Sequence, residues 1–318
     1  MAENKEVIKG TSLWKDAWRR LLKNKLAVFG LIVMVFILIA VIIGPSIIFY
    51  TTGFTPEYIP ANSDLIKSFP PSLQHPMGTD EAGRDLLARV LQGGRISLMV
   101  GIISTIVSLV VGVSYGAIAG YMGGKIDNVM MRIVDILYAI PYILIVIVLM
   151  AAFGGENTPD WIESISNIFG GGAGLNQIFL LFFALGLVSW LTMARVVRGQ
   201  ILSLKNEEFV LAAKATGVST PSIIFKHLVP NTLGPVIVYA TLTIPSVMLT
   251  EAFLSFLGIG VQAPYASWGS LCADGIKNIG IFPWQLIFPG VTMALTLFSL
   301  NFLGDGLRDA LDPQTRKF

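Results

Sequence analysis

Charge is scarce in this chain of 318 residues: Asp, Glu, Lys and Arg make up 13% of it, against roughly 25% in an ordinary soluble domain. That deficit excludes a typical soluble enzyme. Cysteine occurs once, at Cys272, so no intrachain disulfide can form. The two histidines, His75 and His227, lie too far apart to supply metal-ligand spacing, and no metal site is expected. A net charge of +2 gives no footprint for nucleic acid. A phosphate-cradling loop is missing as well. Gly120-Tyr121-Met122-Gly123-Gly124-Lys125-Ile126 lacks both the glycine spacing ahead of the lysine and the Ser or Thr behind it. Gly258-Ile259-Gly260 follows a membrane helix instead of a strand and is no dinucleotide fingerprint. Energy for any driven process must therefore come from another polypeptide.

What the chain does have is apolar sequence, 54% of its residues, gathered into runs. Crossing roughly 30 Å of hydrocarbon at 1.5 Å per residue takes about 20 residues. Six windows qualify: Leu26–Tyr50, Ile96–Ile118, Ile133–Phe153, Gln177–Val197, Leu233–Leu257 and Gln285–Leu303. The expected fold class is an all-α membrane protein with six transmembrane helices. Pro141, Pro245 and Pro289 lie inside windows, and Gly101, Gly112 and Gly116 lie in the second; such residues permit bends and close helix contact. Asp135 and Arg195 sit near window ends, within reach of the interface, whereas Glu251 is deep in the fifth window. Two readings of Glu251 stand open, one lining a pathway and one bonding helix ends near Leu257 or a partner subunit.

Six spans place both termini on one side of the membrane. The first 25 residues carry seven basic side chains (Lys5, Lys9, Lys15, Arg19, Arg20, Lys23, Lys25), ahead of an apolar run too long for a signal-peptide core. That run reads as a retained first span. Lys125, Arg132, Arg195, Arg198, Lys205, Lys214, Lys226, Arg308, Arg316 and Lys317 fall on the same side, against Lys67, Arg84, Arg89, Arg95 and Lys277 on the other. The positive-inside bias predicts cytoplasmic termini. The organisation expected is a basic arm (1–25), a first span (26–50), an external segment (51–95), a five-helix core (96–308) and a tail (309–318). Within the external segment, Leu86, Leu87, Val90 and Leu91 recur at helical spacing and predict a short amphipathic helix at the outer interface; direct substrate contact is the other reading.

Residues 198–232 are too polar for the membrane and read as helix, turn, helix. The first segment runs from Glu207 to Gly217, the glycine serving as its stop. The second starts at Thr220 as N-cap, with Pro221 at the first helical position. The result is a helical elbow on the cytoplasmic side. His227 on its second helix lies in no acid or nucleophile pattern and reads as a packing residue.

This elbow resembles the signature of the membrane permeases of bacterial ABC importers: Glu-Ala-Ala, three residues, Gly, then a proline thirteen residues on. Ala212-Ala213, Gly217 and Pro230 match it, while Leu211 stands where the family usually has glutamate; Glu207 or Glu208 is the substitute on offer. Three further stretches resemble the peptide branch, in particular the second permease of dipeptide, oligopeptide and nickel systems. They are Gly78-Thr79-Asp80 through Gly83-Arg84-Asp85, Leu254 through Gln262 to Ser267-Trp268-Gly269, and Gly304-Asp305-Gly306 through Asp312-Pro313. Gln314 replaces the arginine common after Asp-Pro in the family.

The resemblance implies the type I importer permease fold in the bacterial or archaeal cytoplasmic membrane, with a second, similar permease subunit as partner. It implies two cytoplasmic ATPases that hold ATP and Mg, an extracytoplasmic binding protein, and no cofactor or catalysis in this chain. It assigns ATPase coupling to Leu211, Ala212, Ala213, Lys214, Ala215, Thr216, Gly217, Val218, Ser219, Thr220, Pro221 and Pro230. The expected cargo is peptide, with nickel, glutathione or another small solute as the alternative. Gln262, Tyr265, Trp268 and Gly269 form an outer loop read either as binding-protein contact or as aromatic interface anchors. A secondary transporter normally needs several intramembrane acids, and a single such acid beside a large elbow sets that reading, and a non-transport scaffold, behind the importer.

Overall fold

A computed structural model describes residues 13–59, 68–169 and 171–311 of the chain. The first twelve residues of the basic arm (with Lys5 and Lys9), Lys67, and the Asp312-Pro313-Gln314 ending with Arg316 and Lys317 lie outside the described residues. Among those described, the elements are helices: α1 (Leu13–Leu21), α2 (Lys25–Thr52), α3 (Leu86–Met122), α4 (Gly124–Ala139), α5 (Tyr142–Phe153), α6 (Asp160–Ile168), α7 (Ala173–Leu204), α8 (Glu208–Ala215), α9 (Thr220–Ser222), a π-helical turn (Ile223–Leu228), α10 (Val229–Asn231), α11 (Leu233–Phe256), α12 (Trp268–Lys277) and α13 (Trp284–Leu311).

Five of these are long and apolar enough to cross a membrane: α2, α3, α7, α11 and α13. The bent pair α4 and α5 makes a sixth span if counted as one. The third window was expected to be a single helix, and here the structure differs. Ile140 is extended (φ −85°, ψ 128°), because the ring of Pro141 disfavours helical geometry in the residue before it, and the chain turns by 87° between α4 and α5. The predicted interfacial helix is also corrected. Leu86, Ala88 and Val90 are buried at the head of α3, so the segment belongs to a 37-residue helix and does not lie free on the membrane.

Packing follows from where side chains are small. α3 and α7 run side by side in the same direction, with Gly112, Gly116 and Gly120 of α3 spaced one turn apart against α7. A Cβ at Gly112 would sit 2.6 Å from Met193 Cβ and 2.9 Å from the Trp190 carbonyl oxygen. Backbone cannot yield as a flexible side chain does. Gly112→Leu is expected to destabilise the α3–α7 contact by ~1–3 kcal/mol or more, read as a lower melting temperature in detergent; an unchanged melt would mean that the two helices do not approach this closely.

A proline that the window analysis passed over, Pro45 in α2, has no N–H to offer the Val41 carbonyl. Arg95 of α3 fills the gap, donating from Nε to Val41 O at 2.8 Å and from Nη2 to Ile42 O at 2.6 Å. The defect in one span is thereby repaired by the next. α1 tucks Ala17 and Leu21 against Ala27 and Ala310, tying the arm to the end of α13.

Candidate functional site

The elbow is built from local rules. Val218 N donates to Ala213 O (3.1 Å) and Gly217 N to Lys214 O (3.0 Å), with Gly217 at φ +76°. This is the double bond of a Schellman stop, and the left-handed residue it needs is disfavoured for every L side chain. The N-cap of the second helix is Ser219, one residue earlier than expected, with Pro221 in the first turn. Past it the expected α-helix loosens into the π turn Ile223–Leu228. Pro230 brings no N–H for the Lys226 carbonyl, which leaves the wider register open.

Val210, Ala213, Ile223, Ile224 and Leu228 are buried against Ala117, Met193, Val197 and Ile201, keying the elbow to the ends of α3 and α7. Each such aliphatic side chain contributes ~1.5–3 kcal/mol on burial. The opposite face is apolar and exposed, with Phe209, Leu211 and Phe225 uncovered beside Ala212 and Ala215. Glu207 and Glu208 are exposed at the start of α8. His227 is half-buried, and its backbone carbonyl accepts from Asn231 Nδ2 at 2.6 Å.

A second feature was not legible in the sequence. Where α4 and α5 part, a cleft of about 480 Å³ opens between them, α7 and α11. Its wall carries the hydroxyls of Tyr138, Ser189, Thr192, Tyr239, Ser246 and Thr250. Tyr138 OH bonds Thr192 Oγ1, and Tyr239 lines the same wall, so polar groups of α4, α7 and α11 face one cleft. Next to these groups, Arg195 lies over the Tyr138 ring at 4.0 Å and bonds Asp135 at 2.7 Å. Tyr239 and Leu242 are shared with a larger cleft of about 790 Å³ that reaches Gln200, Pro230 and Asn231 beside the elbow.

Glu251 faces neither cleft. It is 1% exposed, and its Oε1 accepts from Ser255 Oγ (2.6 Å) and Ser267 Oγ (2.7 Å). Ser267 also caps α12, accepting from Ser270 N at 3.0 Å. Of the two readings, the geometry supports bonding of helix ends: Glu251 ties α11 to α12. Glu251→Leu would strand two buried hydroxyls at ~1–3 kcal/mol each. It should therefore lower the melting temperature clearly more than Glu251→Gln, which keeps an acceptor; equal melts would remove the clamp. Burial and the nearby Glu251 carboxylate push the Cys272 thiol of α12 up to about 11, which keeps it protonated and a poor nucleophile at neutral pH.

The outer loop is corrected in part. Trp268 is fully buried, donating from Nε1 to Val90 O at 2.8 Å, while its backbone N–H reaches Ser97 Oγ at 3.0 Å. Gly269 is buried against Ala252. Neither residue is available for an outside contact or for a headgroup anchor; Gln262 is exposed and Tyr265 half-exposed. The Gly78–Asp85 stretch likewise closes on itself. Asp80 Oδ1 accepts from Ala82 N and Arg84 N (2.9 Å each), and Oδ2 from Arg84 Nε (2.7 Å) and Arg89 Nη1. Asp85 caps α3 through Ala88 N (2.8 Å) and pairs with His75 Nδ1 (2.9 Å). Gln285 Nε2 donates to Thr79 O at 3.0 Å, locking the loop to α13.

The chain is similar in sequence to known transport proteins along nearly its whole length. Residues 112–317 match the family described as binding-protein-dependent transport system inner membrane component, and residues 12–71 match the N-terminal TM domain of oligopeptide transport permease C. The oligopeptide transport system permease protein of Haemophilus influenzae is 46% identical, with 97% of this chain and 91% of that one aligned. Its counterpart in Escherichia coli K12 is 47% identical (97% and 94%), and the dipeptide transport system permease protein of Bacillus subtilis is 45% identical (96% and 87%). With helices that can cross a membrane and likeness of this extent along nearly its whole length, the chain belongs to the binding-protein-dependent transport system inner membrane component family.

Proposed function

We propose that this chain is one of two non-identical permease halves of an ATP-driven peptide importer in a bacterial cytoplasmic membrane. The observation that carries the reading is the elbow. It is a glycine-stopped helix pair, rigidly keyed to two spans, whose exposed face is apolar and covered by nothing in the described chain. Relatives named for oligopeptide and dipeptide transport supply the cargo class. In this reading the termini and elbow lie in the cytoplasm, and the lysine and arginine bias supports that side.

Residues Leu211–Pro221 and Pro230 meet one of two ATPase subunits, which hold ATP and Mg; the chain itself performs no catalysis. Contacts that differ between the nucleotide states shift the spans between two packings. The hydroxyl-lined cleft is this half of the pathway, the second permease closes it, and a binding protein delivers peptide to the outer surface near Gln262 and Tyr265.

The test is purification of the tagged chain from its native cell in mild detergent, identification of what accompanies it, and uptake of labelled peptides after reconstitution of that complex. A second permease and ATPases with ATP-dependent peptide uptake support the proposal. The same complex inactive on peptides redirects the cargo to nickel, glutathione or another small solute, and a solitary active chain overturns it.

A further inference from the structure

The cleft wall has a chemistry of its own. Its polar groups are alcohols and phenols, and among the described residues none of those lining it carries a charge at neutral pH. The Arg195 cation beside it is already held by Asp135 and by the Tyr138 ring. Ser189 Oγ donates to Leu185 O (2.9 Å) and Thr250 Oγ1 to Ser246 O (3.0 Å). Each of these hydroxyls has spent its proton on its own helix and faces outward with oxygen lone pairs. Ser246 Oγ is exposed to the cleft and has no bonding partner among the described residues. Such a wall offers lone pairs to N–H groups, with the Ser246 hydroxyl able to donate as well, and no ion for a charged side chain to pair with or be repelled by.

We infer that the cleft between α4, α5, α7 and α11 is a charge-neutral lane that holds a peptide by its backbone amides, with Ser246 as a position whose neutrality keeps it indifferent to side-chain charge. This rests on the peptide-importer reading. Every peptide presents the same N–H groups whatever its sequence, so the lane engages the backbone and leaves side-chain charge unread. A charge placed at Ser246 would break that indifference, because an ion on the wall acts at close range on a passing charge.

The experiment uses the reconstituted complex with its own binding protein and three labelled tripeptides that differ only in a central Gln, Glu or Lys. Ratios between variant and wild type cancel whatever preference the binding protein has. S246D is expected to lower uptake of the Glu peptide relative to the Lys peptide by about tenfold, and S246K to do the reverse. Uptake of the Gln peptide is the reference against which both changes are read. T250D, one turn along the same helix, repeats the test if S246D does not assemble.

Unchanged Glu-to-Lys ratios in variants that assemble, or an equal fall for all three peptides, would overturn the lane. Peptide uptake absent from the wild-type complex is a different result. It overturns the importer reading first and the lane with it.

Discussion

Gly217→Val is expected to separate ATP hydrolysis from uptake in the reconstituted complex. Gly217 sits at φ +76° with open space around the position where a Cβ would be, so the substitution meets no neighbour and its whole cost is backbone strain. The left-handed conformation costs a side-chain-bearing residue roughly 1–2 kcal/mol, and more if it is β-branched. The Schellman stop relaxes or breaks to relieve that strain, and the exposed face at Leu211 and Ala212 changes its angle to the Ile223–Leu228 turn. Because the elbow is keyed to α3 and α7, a changed angle at the proposed ATPase contact would be lost motion at the spans. About 1.4 kcal/mol of lost coupling is roughly tenfold in the equilibrium between the two packings. Uptake should fall on that order while the ATPases continue to hydrolyse ATP. Gly217→Asn, a residue that tolerates the left-handed region, should recover much of the loss. Wild-type uptake in the valine variant would show that this turn transmits nothing.

Asp80→Ala should be the most destabilising of the substitutions considered. Arg89 is 6% exposed and Asp80 8%, and removing one partner of a buried ion pair leaves the other charge uncompensated at about 3–5 kcal/mol. The same change strips acceptors from the N–H groups of Ala82 and Arg84. The damage reaches further than the loop, because Arg89 stands in the first turn of α3, where Trp268 Nε1 bonds the neighbouring Val90 carbonyl. The variant is expected to melt at a clearly lower temperature in detergent and to be cut by protease within residues 68–85, where the parent resists. Asp80→Ala combined with Arg89→Leu should recover part of the loss, since no bare charge then remains. A single variant that melts and digests like the parent would mean that the pair is not buried.

The two expectations differ in how far they could be read from the sequence. Gly217 announces itself, because a glycine closing a periodic helix ahead of Thr220-Pro221 has few other uses, and only the cap slipped, by one residue, to Ser219. The Gly78–Asp85 stretch is recognisable as a motif, and the helical spacing of Leu86, Leu87, Val90 and Leu91 behind it suggests a surface helix. Its carboxylates in fact turn inward to Arg84, Arg89 and His75. Trp268 carried the ordinary expectation of an interfacial aromatic, and nothing local says that Val90 and Ser97 will be waiting for its two N–H groups. Pro141 signals a bend, and its restriction on Ile140 makes that bend a full break of 87°.

What the sequence determined by itself is whatever depends on neighbours within a few residues. Spans follow from apolar run length, helix ends from glycine, proline and capping side chains, the elbow from both together, and the absence of a nucleotide loop from missing spacing. Tertiary structure alone decided the pairings across long stretches of chain. These are the Tyr138–Thr192 bond, the repair of Pro45 by Arg95, the bond of Glu251 to Ser267, and the cleft itself. The reason is physical. A hydroxyl or carboxylate in a helix advertises only its need for a partner, and several distant residues could meet it. Which one does is settled when α3 and α7 close on their glycines and bring particular side chains within 3 Å.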